Sequence, residues 1–165
     1  MRTAQPIRVA LIRALPPAFG ELAADALADS QKMLEVLRED WESGTQRFDG
    51  PGAALFAAYA GDALLGLGGL TRDPYLQDSA GRVRRLYVRR ASRGHGAGRA
   101  LVEAIIAGAA EAGWPRVRVR APASAFRFYE RCGFLRAVGE RAATHVLPLR
   151  DALHEDVRGV TGLRA

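Results

Sequence analysis

The chain has 165 residues, of which 48% are hydrophobic and 25% charged, so its size and composition are those of one globular domain. A single cysteine cannot form an internal disulfide, and no Cys/His cluster has zinc spacing, which excludes a disulfide-rich secreted module and a zinc finger. The net charge of +6 is unevenly divided: residues 1–81 hold seven basic and eleven acidic residues, whereas residues 82–165 hold seventeen basic and seven acidic ones.

Arginine supplies almost all of the positive charge. Lys32 is the only lysine, and seven arginines fall between Arg82 and Arg99. Guanidinium groups bind phosphate through paired hydrogen bonds, so this density indicates an anionic partner, either a nucleic acid or a phosphorylated small molecule. A compositional bias toward arginine on a solvated surface would account for part of the same excess.

No targeting or membrane-spanning segment is evident. The first apolar stretch, Ile7 to Leu15, is interrupted by Arg8 and Arg13 and is too short for a signal-peptide core. No run approaches the roughly 20 apolar residues that cross a bilayer. We therefore expect a cytoplasmic protein without a membrane partner.

Hydrophobic periodicity and turn residues predict the elements of the first half. Weak alternation predicts a strand over Ile7 to Arg13. Helical spacing from Phe19 to Trp41 predicts one bent helix or two short ones, with the break near Asp29-Ser30. Two apolar runs, Ala54 to Ala60 and Ala63 to Leu70, are separated by a Gly-Asp pair and predict a hairpin.

The middle of the chain combines a basic strand with an amphipathic helix. β-Branched, aromatic and arginine residues predict a strand over Arg82 to Val88. In a regular strand, Val83, Arg85 and Tyr87 would face one side of the sheet and the remaining residues the other. The apolar stripe from Leu101 to Ala109 predicts a helix.

The last predicted elements complete an α+β order. Clean alternation predicts a strand over Arg116 to Ala121, and a short helix follows from about Ser124 to Arg131. Phe134 to Val138 and Thr144 to Leu149 are predicted to form an antiparallel pair. This order indicates a mixed sheet and differs from the regular alternation of a doubly wound fold.

A glycine-rich segment, Arg93-Gly94-His95-Gly96-Ala97-Gly98, lies between the basic strand and the amphipathic helix. Glycine has no Cβ, so several backbone N–H groups can turn inward, and the helix that begins there adds its own free N–H groups and dipole. Such a loop can hold a diphosphate. Alternatively, the glycines only let the helix pack against the sheet. A P-loop would need a lysine, and the dinucleotide fingerprint would need glycine in place of Arg99.

Two motifs identify a family resemblance. The glycine-rich segment fits the pattern Gln/Arg-x-x-Gly-x-Gly/Ala, and Phe128-Tyr129-Glu130-Arg131-Cys132-Gly133-Phe134 fits Phe/Leu-Tyr-x-x-x-Gly-Phe. With both at this separation, the chain resembles the GNAT superfamily of acyl-CoA N-acyltransferases over nearly its whole length. The resemblance implies a largely antiparallel sheet of six to seven strands, with helices on both faces and a splay between the fourth and fifth strands. It also implies a single domain over residues 1–150 and a polar tail over residues 151–165.

The resemblance further implies acetyl-CoA as co-substrate and no metal. Backbone groups of Leu86, Tyr87 and Val88 would pair with the pantetheine arm, because a bulge would splay this strand from Val117 to Arg120. The diphosphate would be held by the backbone amides of Arg93, Gly94, His95, Gly96, Ala97, Gly98 and Arg99. Where family members often have an asparagine that contacts pantetheine, only Ser124 offers a side-chain donor, and it could instead cap the following helix.

Tyr129 is the implied general acid. It would protonate the departing thiolate, since a phenol with a reference pKa of about 10 is matched to a thiol of roughly 8.5. Without the motif, Tyr129 would be interpreted as a core residue, because Ala125, Phe128 and Cys132 share its apolar helix face.

No general base is evident. Many family members carry a glutamate early in the strand before the glycine-rich loop, and this chain has Arg82 and Arg84 there. The groups that could take a proton directly or through water are Asp73, Asp78, Glu42 and His145. The amine could also arrive already neutral.

The sequence therefore favours an N-acetyltransferase that acts on a primary amine of a small molecule or peptide by direct attack. The acidic first half would attract a cationic amine, whereas Arg47 could orient a carboxylate, and both remain open. The alternatives are a nucleic-acid-binding module that uses the arginine-rich half, or a CoA-binding regulator without catalysis. Nucleic acid is disfavoured because Tyr87 is the only aromatic residue among those arginines. The resemblance also makes a homodimer reasonable.

Overall fold

The computed structural model describes residues 5–149. Seven strands lie within this range: β1 (Ile7–Ile12), β2 (Ala54–Ala60), β3 (Ala63–Arg72), β4 (Gly81–Val88), β5 (Arg116–Val119), β6 (Leu135–Arg136) and β7 (His145–Pro148). The helices of this range are α1 (Phe19–Ala28), α2 (Met33–Ser43), α3 (Ala97–Glu111) and α4 (Phe126–Arg131). The tail predicted over residues 151–165 lies outside it.

One sheet contains all seven of these strands, in the order β1-β2-β3-β4-β5-β7-β6. Its pairs are antiparallel except for β4 with β5, so the predicted α+β fold with a mixed, largely antiparallel sheet is confirmed. Of the helices in the described part of the chain, none has the length and apolar character needed to cross a membrane.

Helices cover both faces of the sheet, as predicted. Ala57 of β2 packs in a cluster with Leu22 of α1 and Leu34 of α2, whereas the next residue, Ala58, packs with Leu101 of α3. Since successive strand residues point to opposite faces, α1 and α2 lie on one face and α3 on the other.

The segment predicted as one bent helix or two short ones is two helices. They are separated at Ser30, which has a left-handed backbone with φ 58°. The predicted hairpin between β2 and β3 is also present, with Gly61 at φ 57° in its turn. A positive φ favours glycine and is tolerated by few other residues, which is why the Gly-Asp pair is an informative turn signal.

β4 contains a β-bulge. Gly69 of β3 lies opposite Arg84, and Leu67 lies opposite Tyr87, so two residues of β4 stand against one residue of β3. Within this step Arg85 has a left-handed backbone with φ 55°. The bulge that the sequence placed near this point is thus confirmed.

The bulge also overturns one prediction. Val83 packs with the α3 cluster, whereas Tyr87 packs with α1 and α2, so the two side chains lie on opposite faces of the sheet. Arg85 joins Tyr87's face and lies 3.6 Å from Asp40 of α2. The expected alternation is wrong because the extra residue of the bulge reverses the facing of all the residues after it.

β4 and β5 separate soon after they begin to pair. Only Gly81 with Val117 and Arg82 with Arg118 are in register, and β5 continues as a partner of β7. The edge of β4 beyond Arg82 that faces β5 therefore lacks a partner strand in the described range. This is the splay predicted between the fourth and fifth strands.

A buried ion cluster holds the closed end of this split. Asp73 Oδ2 accepts hydrogen bonds from Arg118 at 2.8 Å and from Arg82 at 3.4 Å, and its Oδ1 accepts the Tyr75 N–H at 2.9 Å. Asp73 is 1% exposed and Arg118 is fully buried. Arg118 also lies 3.2 Å from a carboxylate oxygen of Glu140. The cluster fixes the point from which β4 and β5 diverge.

Candidate active site

A cleft of about 960 Å³ occupies the split between β4 and β5. The predicted site residues that line it are Leu86, Tyr87, Val88, Arg93, Gly94, Gly96, Ala97, Gly98, Arg99, Ser124 and Tyr129. His95 differs, because its side chain is exposed and it is not part of the lining. β4, the glycine-rich loop with the start of α3, and α4 with the turn before it therefore bring the predicted residues to a single site.

The glycine-rich loop takes a conformation that glycine alone adopts without strain. Gly94 has φ 81° and Gly96 has φ 93°. A Cβ on Gly94 would have no atom within 4 Å, and a Cβ on Gly96 would meet only Ile7 Cδ1 at 3.9 Å. Gly98 differs, since its Cβ would lie 3.2 Å from the Phe128 ring. The packing interpretation therefore holds for Gly98, while the other two glycines leave open space.

Six consecutive amides of this loop, from Gly94 to Arg99, donate to no acceptor in the described part of the chain. The first donor after them is the N–H of Ala100, which bonds to the Gly96 carbonyl at 3.0 Å. Free N–H groups at the start of a helix of α3's length carry the positive end of its dipole. These residues fit a diphosphate, which needs several converging donors and little side-chain bulk.

The four arginines near the loop have partners on the protein: Arg89 with the Leu64 carbonyl at 3.3 Å, Arg90 with Asp25 at 3.5 Å, Arg93 with Asp29 at 2.7 Å and Arg99 with Glu103 at 3.3 Å. The contacts of Arg90, Arg93 and Arg99 are ion pairs of exposed guanidinium groups, and such a pair is worth only about 0–1 kcal/mol. An arriving phosphate can therefore replace them at little cost.

Asp25 of α1 was missed by the sequence reasoning. Its Oδ2 accepts the Tyr87 O–H at 2.6 Å and the Arg90 N–H at 3.0 Å, so it ties α1 to the end of β4 and the start of the loop. The hydrogen bond from Tyr87 is the main cause that lowers the pKa of Asp25. No local pattern could have revealed it, because its partners lie more than sixty residues away in sequence.

The Tyr87 hydroxyl predicts a change of stability at alkaline pH. Burial, followed by the hydrogen bond to Asp25, raises the pKa of Tyr87 from 10.0 to about 12. The folded state then keeps a proton that the unfolded state loses, so stability that is full below pH 10 declines as the pH rises toward 12. When urea unfolding is measured from pH 10 to 12, the free energy of unfolding should fall less for Tyr87→Phe than for the wild type. The difference should be about 1.4 kcal/mol per unit of pKa difference. Parallel curves would contradict the assignment.

Tyr129 is both a core residue and a cleft residue. It is 4% exposed, and its ring packs edge-to-face on Phe128 and on Phe134 with centroids 5.1 and 5.4 Å away. It also lines the cleft, and no group of the described chain hydrogen-bonds to its hydroxyl. Burial, with a smaller effect of Cys132, raises the pKa of Tyr129. The phenol therefore keeps its proton at neutral pH.

None of the four candidate bases lines the cleft. Asp73 belongs to the buried ion cluster, and Asp78 pairs with Arg116 at 3.0 Å. His145 is buried, with Nδ1 3.0 Å from the Thr144 hydroxyl. Glu42 is exposed on α2. The only carboxylate that the described residues contribute to the lining is Asp29, which pairs with Arg93.

Two further side chains of the lining lie near Tyr129. Ser124 stands in a short 3₁₀ turn before α4 and makes no capping hydrogen bond, so the capping role considered for it is wrong. Cys132 follows the last turn of α4, and burial raises the pKa of its thiol. A thiol that stays protonated is a poor nucleophile, which argues against a covalent acyl-cysteine.

Comparison with known families settles the class of the protein. A family model described as the acetyltransferase (GNAT) domain matches residues 22–149. The chain belongs to the GNAT family. This membership confirms the resemblance seen in the two motifs and places the chain among the acyltransferases. A search of curated proteins returns no match to this GNAT sequence.

Solved structures share the fold of this GNAT protein. A candidate acetyltransferase from Exiguobacterium sp. 255-15 is 24% identical, with a TM-score of 0.78 over 92% of this chain and 98% of its own. A candidate acetyltransferase from Salmonella typhimurium, solved with acetyl-CoA, is 17% identical, with a TM-score of 0.64 over 90% and 96%. Glucosamine-6-phosphate N-acetyltransferase from Arabidopsis thaliana is 14% identical, with a TM-score of 0.58 over 84% and 97%.

Proposed function

We propose that this GNAT protein is an N-acetyltransferase that moves an acetyl group from acetyl-CoA to a primary amine by direct attack. The observation that carries the proposal is the split between β4 and β5, which joins the six free amides at one end to the Tyr129 phenol in its wall. Family membership supports acyl transfer, and the donor and acceptor named here go beyond it.

Acetyl-CoA would supply the acyl group as an activated thioester. The six amides from Gly94 to Arg99 would hold the diphosphate, whereas the Arg93 N–H, predicted to join them, donates to the Arg90 carbonyl at 3.3 Å. The open edge of β4 from Leu86 to Val88 would pair with the pantetheine arm as an added strand. Arg93 Nε now donates to the Val88 carbonyl at 3.1 Å, so this bond would have to yield if that carbonyl pairs with the arm. The Ser124 hydroxyl would offer a further donor.

Tyr129 would hold the proton that the leaving sulfur needs. As the new C–N bond forms and the C–S bond breaks, the phenol Oη would give its proton to the sulfur, and the proton lost by the nitrogen would restore the phenol through solvent. The burial that raises the pKa of Tyr129 would also raise that of a thiolate formed in the same cleft, so the two groups stay matched.

The lack of a free carboxylate in the cleft bears on the acceptor. With Asp29 paired to Arg93, no carboxylate of the lining in the described part of the chain is free to deprotonate an ammonium ion. The amine would then have to arrive neutral. This favours acceptors of low amine pKa, such as an α-amino group of about 8 over a lysine side chain of about 10.4.

A thiol-release assay with acetyl-CoA and a panel of amines, amino acids, aminoglycosides and peptides tests the proposal. We expect CoA to bind in calorimetry and thiol release to depend on an added amine. Binding of CoA without turnover of any acceptor would favour the regulator. Failure to bind CoA, with binding to arbitrary DNA that weakens steeply as salt rises, would favour the nucleic-acid module. The homodimer, the cytoplasmic location and the domain boundary at residue 150 stay predictions.

Substitution of Gly94 tests the diphosphate site. Gly94→Ala adds a methyl group where the loop leaves open space and strains a backbone with φ 81°. We expect the Kd for CoA to rise at least about 10-fold, which corresponds to about 1.4 kcal/mol, because several N–H groups would no longer point toward the same diphosphate. Calorimetry measures this directly.

Gly113→Ala is the matched control for this variant. Gly113 also has a positive φ, 76°, and open space around its Cβ, but it lies beyond the far end of α3 and outside the cleft. Both variants should lose about 1 kcal/mol of stability from backbone strain. Only Gly94→Ala should weaken CoA binding, and equal Kd values in the two variants would refute the diphosphate site.

A further inference from the structure

The cleft is strongly electropositive. Seven arginines line it: Arg82, Arg84, Arg85, Arg93, Arg99, Arg120 and Arg131. Among residues 5–149, Asp29 is the only acidic residue of the lining. The proposed diphosphate site is flanked by Arg93 and Arg99. Phosphates bound there would therefore balance only part of the positive charge of the cleft.

A second group of arginines in the lining lies outside the proposed diphosphate site. It consists of Arg82, Arg84, Arg85 and Arg120. Val83 and Leu86 pack toward α3, whereas Arg85 reaches Asp40 of α2, so this group of β4 side chains faces α1 and α2. Arg120 follows β5 in phase with Arg118, on this same face. We call these four the α2-side arginines. They line the cleft on the sheet face opposite to the cluster that contains Tyr129.

Arg84 differs from its two neighbours in the strand. Arg82 pairs with Asp73 and lies over the Tyr75 ring at 4.7 Å, and Arg85 pairs with Asp40. Arg84 is half-buried, and no carboxylate of the described chain lies within 4.0 Å of it.

The remaining environment of Arg84 is unfavourable to a cation. Its one side-chain partner is the Thr71 hydroxyl, to which Nη1 donates at 3.3 Å. Burial, and then the charges of Arg85 and Arg82, lower the pKa of Arg84. A half-buried guanidinium beside two other cations and without a counter-ion raises the free energy of the empty cleft. A bound anion would lower it.

The sequence left open whether acidic residues attract a cationic amine or Arg47 orients a carboxylate. Neither set of residues is positioned in the cleft to do so. Arg47, which could have oriented a carboxylate, is exposed, donates to the Trp41 carbonyl at 2.9 Å and lies outside the cleft. The acidic residues that could have attracted a cationic amine are also outside it, except for the paired Asp29.

We infer that the acceptor carries an anionic group, a carboxylate or a phosphate, in addition to its amine, and that Arg84 binds this group with Arg120 beside it. The inference rests on the proposed function and narrows its substrate class. Arg84 is then a substrate-binding residue that distinguishes acceptors by charge. The amine would lie toward Tyr129 and the anionic group toward α2. A guanidinium binds either anion through paired hydrogen bonds.

Acceptor pairs that share an amine and differ in one anionic group test this inference. O-Phosphoserinamide with serinamide probes a phosphate, and aspartic acid α-amide with asparaginamide probes a carboxylate, and all four carry the α-amino group that the proposed function favours. In thiol release with acetyl-CoA, we expect the anionic member of one pair to have a kcat/KM about 10- to 100-fold higher. The pair that shows the larger ratio identifies which anion is bound.

Arg84→Gln should remove this preference. The variant should raise the KM of the anionic acceptor by about 10- to 100-fold, with little change in kcat, and should leave the neutral acceptor unchanged. Arg84→Lys should restore part of the preference because it keeps the charge but loses the planar fork. Arg8→Gln removes the same charge from an exposed residue outside the cleft and should behave as the wild type.

Calorimetry separates this inference from the proposed function. With protein saturated with CoA, the anionic probe should bind more tightly than its neutral partner, and Arg84→Gln should abolish the difference. If neutral acceptors bind and react as well as anionic ones, the inference fails while the acetyltransferase stands. If no probe of either pair binds or reacts, or if Arg84→Gln harms both members of the preferred pair equally, the inference also fails. If CoA itself does not bind, the proposed function fails first.

Discussion

Tyr129→Phe is expected to lower kcat about 100-fold and to leave the Kd for CoA within a factor of about two. The substitution removes only the phenol oxygen, and the ring can keep its edge-to-face contacts with Phe128 and Phe134. The proposed proton donor to the leaving sulfur is then missing. Because no described group hydrogen-bonds to the hydroxyl, its removal leaves no buried partner unsatisfied, and the fold should be preserved.

The matched control for this prediction is Tyr59→Phe. Tyr59 lies on β2, outside the cleft, so the same atomic change should leave both kcat and the Kd for CoA unaltered. Steady-state thiol release gives kcat, and calorimetry gives the Kd. An unchanged kcat in Tyr129→Phe would remove Tyr129 from the acid role. A large rise in its Kd would instead assign the residue to coenzyme binding.

Asp73→Asn is expected to lower the free energy of unfolding by about 3–5 kcal/mol. Asp73 is the shared carboxylate of Arg82 and Arg118. Within the described range, an amide there would leave Arg118 with Glu140 as its only carboxylate partner. The amide oxygen can still accept the Tyr75 N–H, so the loss reports mainly on charge. For a chain of this size the Tm should fall about 10 °C, measured by calorimetry.

Asp78→Asn makes the same change at an exposed ion pair. Asp78 is 64% exposed and pairs with Arg116, so its substitution should cost no more than about 1 kcal/mol. Equal losses in the two variants would mean that the buried cluster contributes no more than a surface pair. The cluster also fixes the point where β4 and β5 diverge. We therefore expect a stable fraction of Asp73→Asn to bind CoA more weakly than the wild type does.

The features that the sequence predicted correctly are those that depend on residues close together in the chain. Gly94 and Gly96 have positive φ angles, which favour glycine at these positions. The turn at Gly61 and the break at Ser30 also have a positive φ and are set by nearby residues. A motif or a turn signal can therefore locate them. The same holds for the place of Tyr129 beside the loop, which the spacing of two motifs indicates.

The parts that the sequence did not predict depend on partners distant in the chain. Asp73 was a candidate base and Arg118 had no assigned role, until the fold brought them together across forty-five residues. Asp25 meets Tyr87 across sixty-two. Polar residues at such separations give no periodic signal, so only the folded arrangement distinguishes a buried ion pair from a catalytic carboxylate.

The bulge in β4 makes the length of one strand a determinant of function. Its extra residue turns Arg84 and Arg85 toward the same face and sends Leu86 back toward α3. Deletion of Arg85 would restore a regular register, and we expect the strand beyond it to face the opposite way. If Arg84 binds the acceptor as proposed, we expect substitutions in this strand to change which acceptor is bound, and insertions or deletions to remove the cleft. In related chains, the number of residues between Arg82 and the glycine-rich loop should therefore vary far less than their identity.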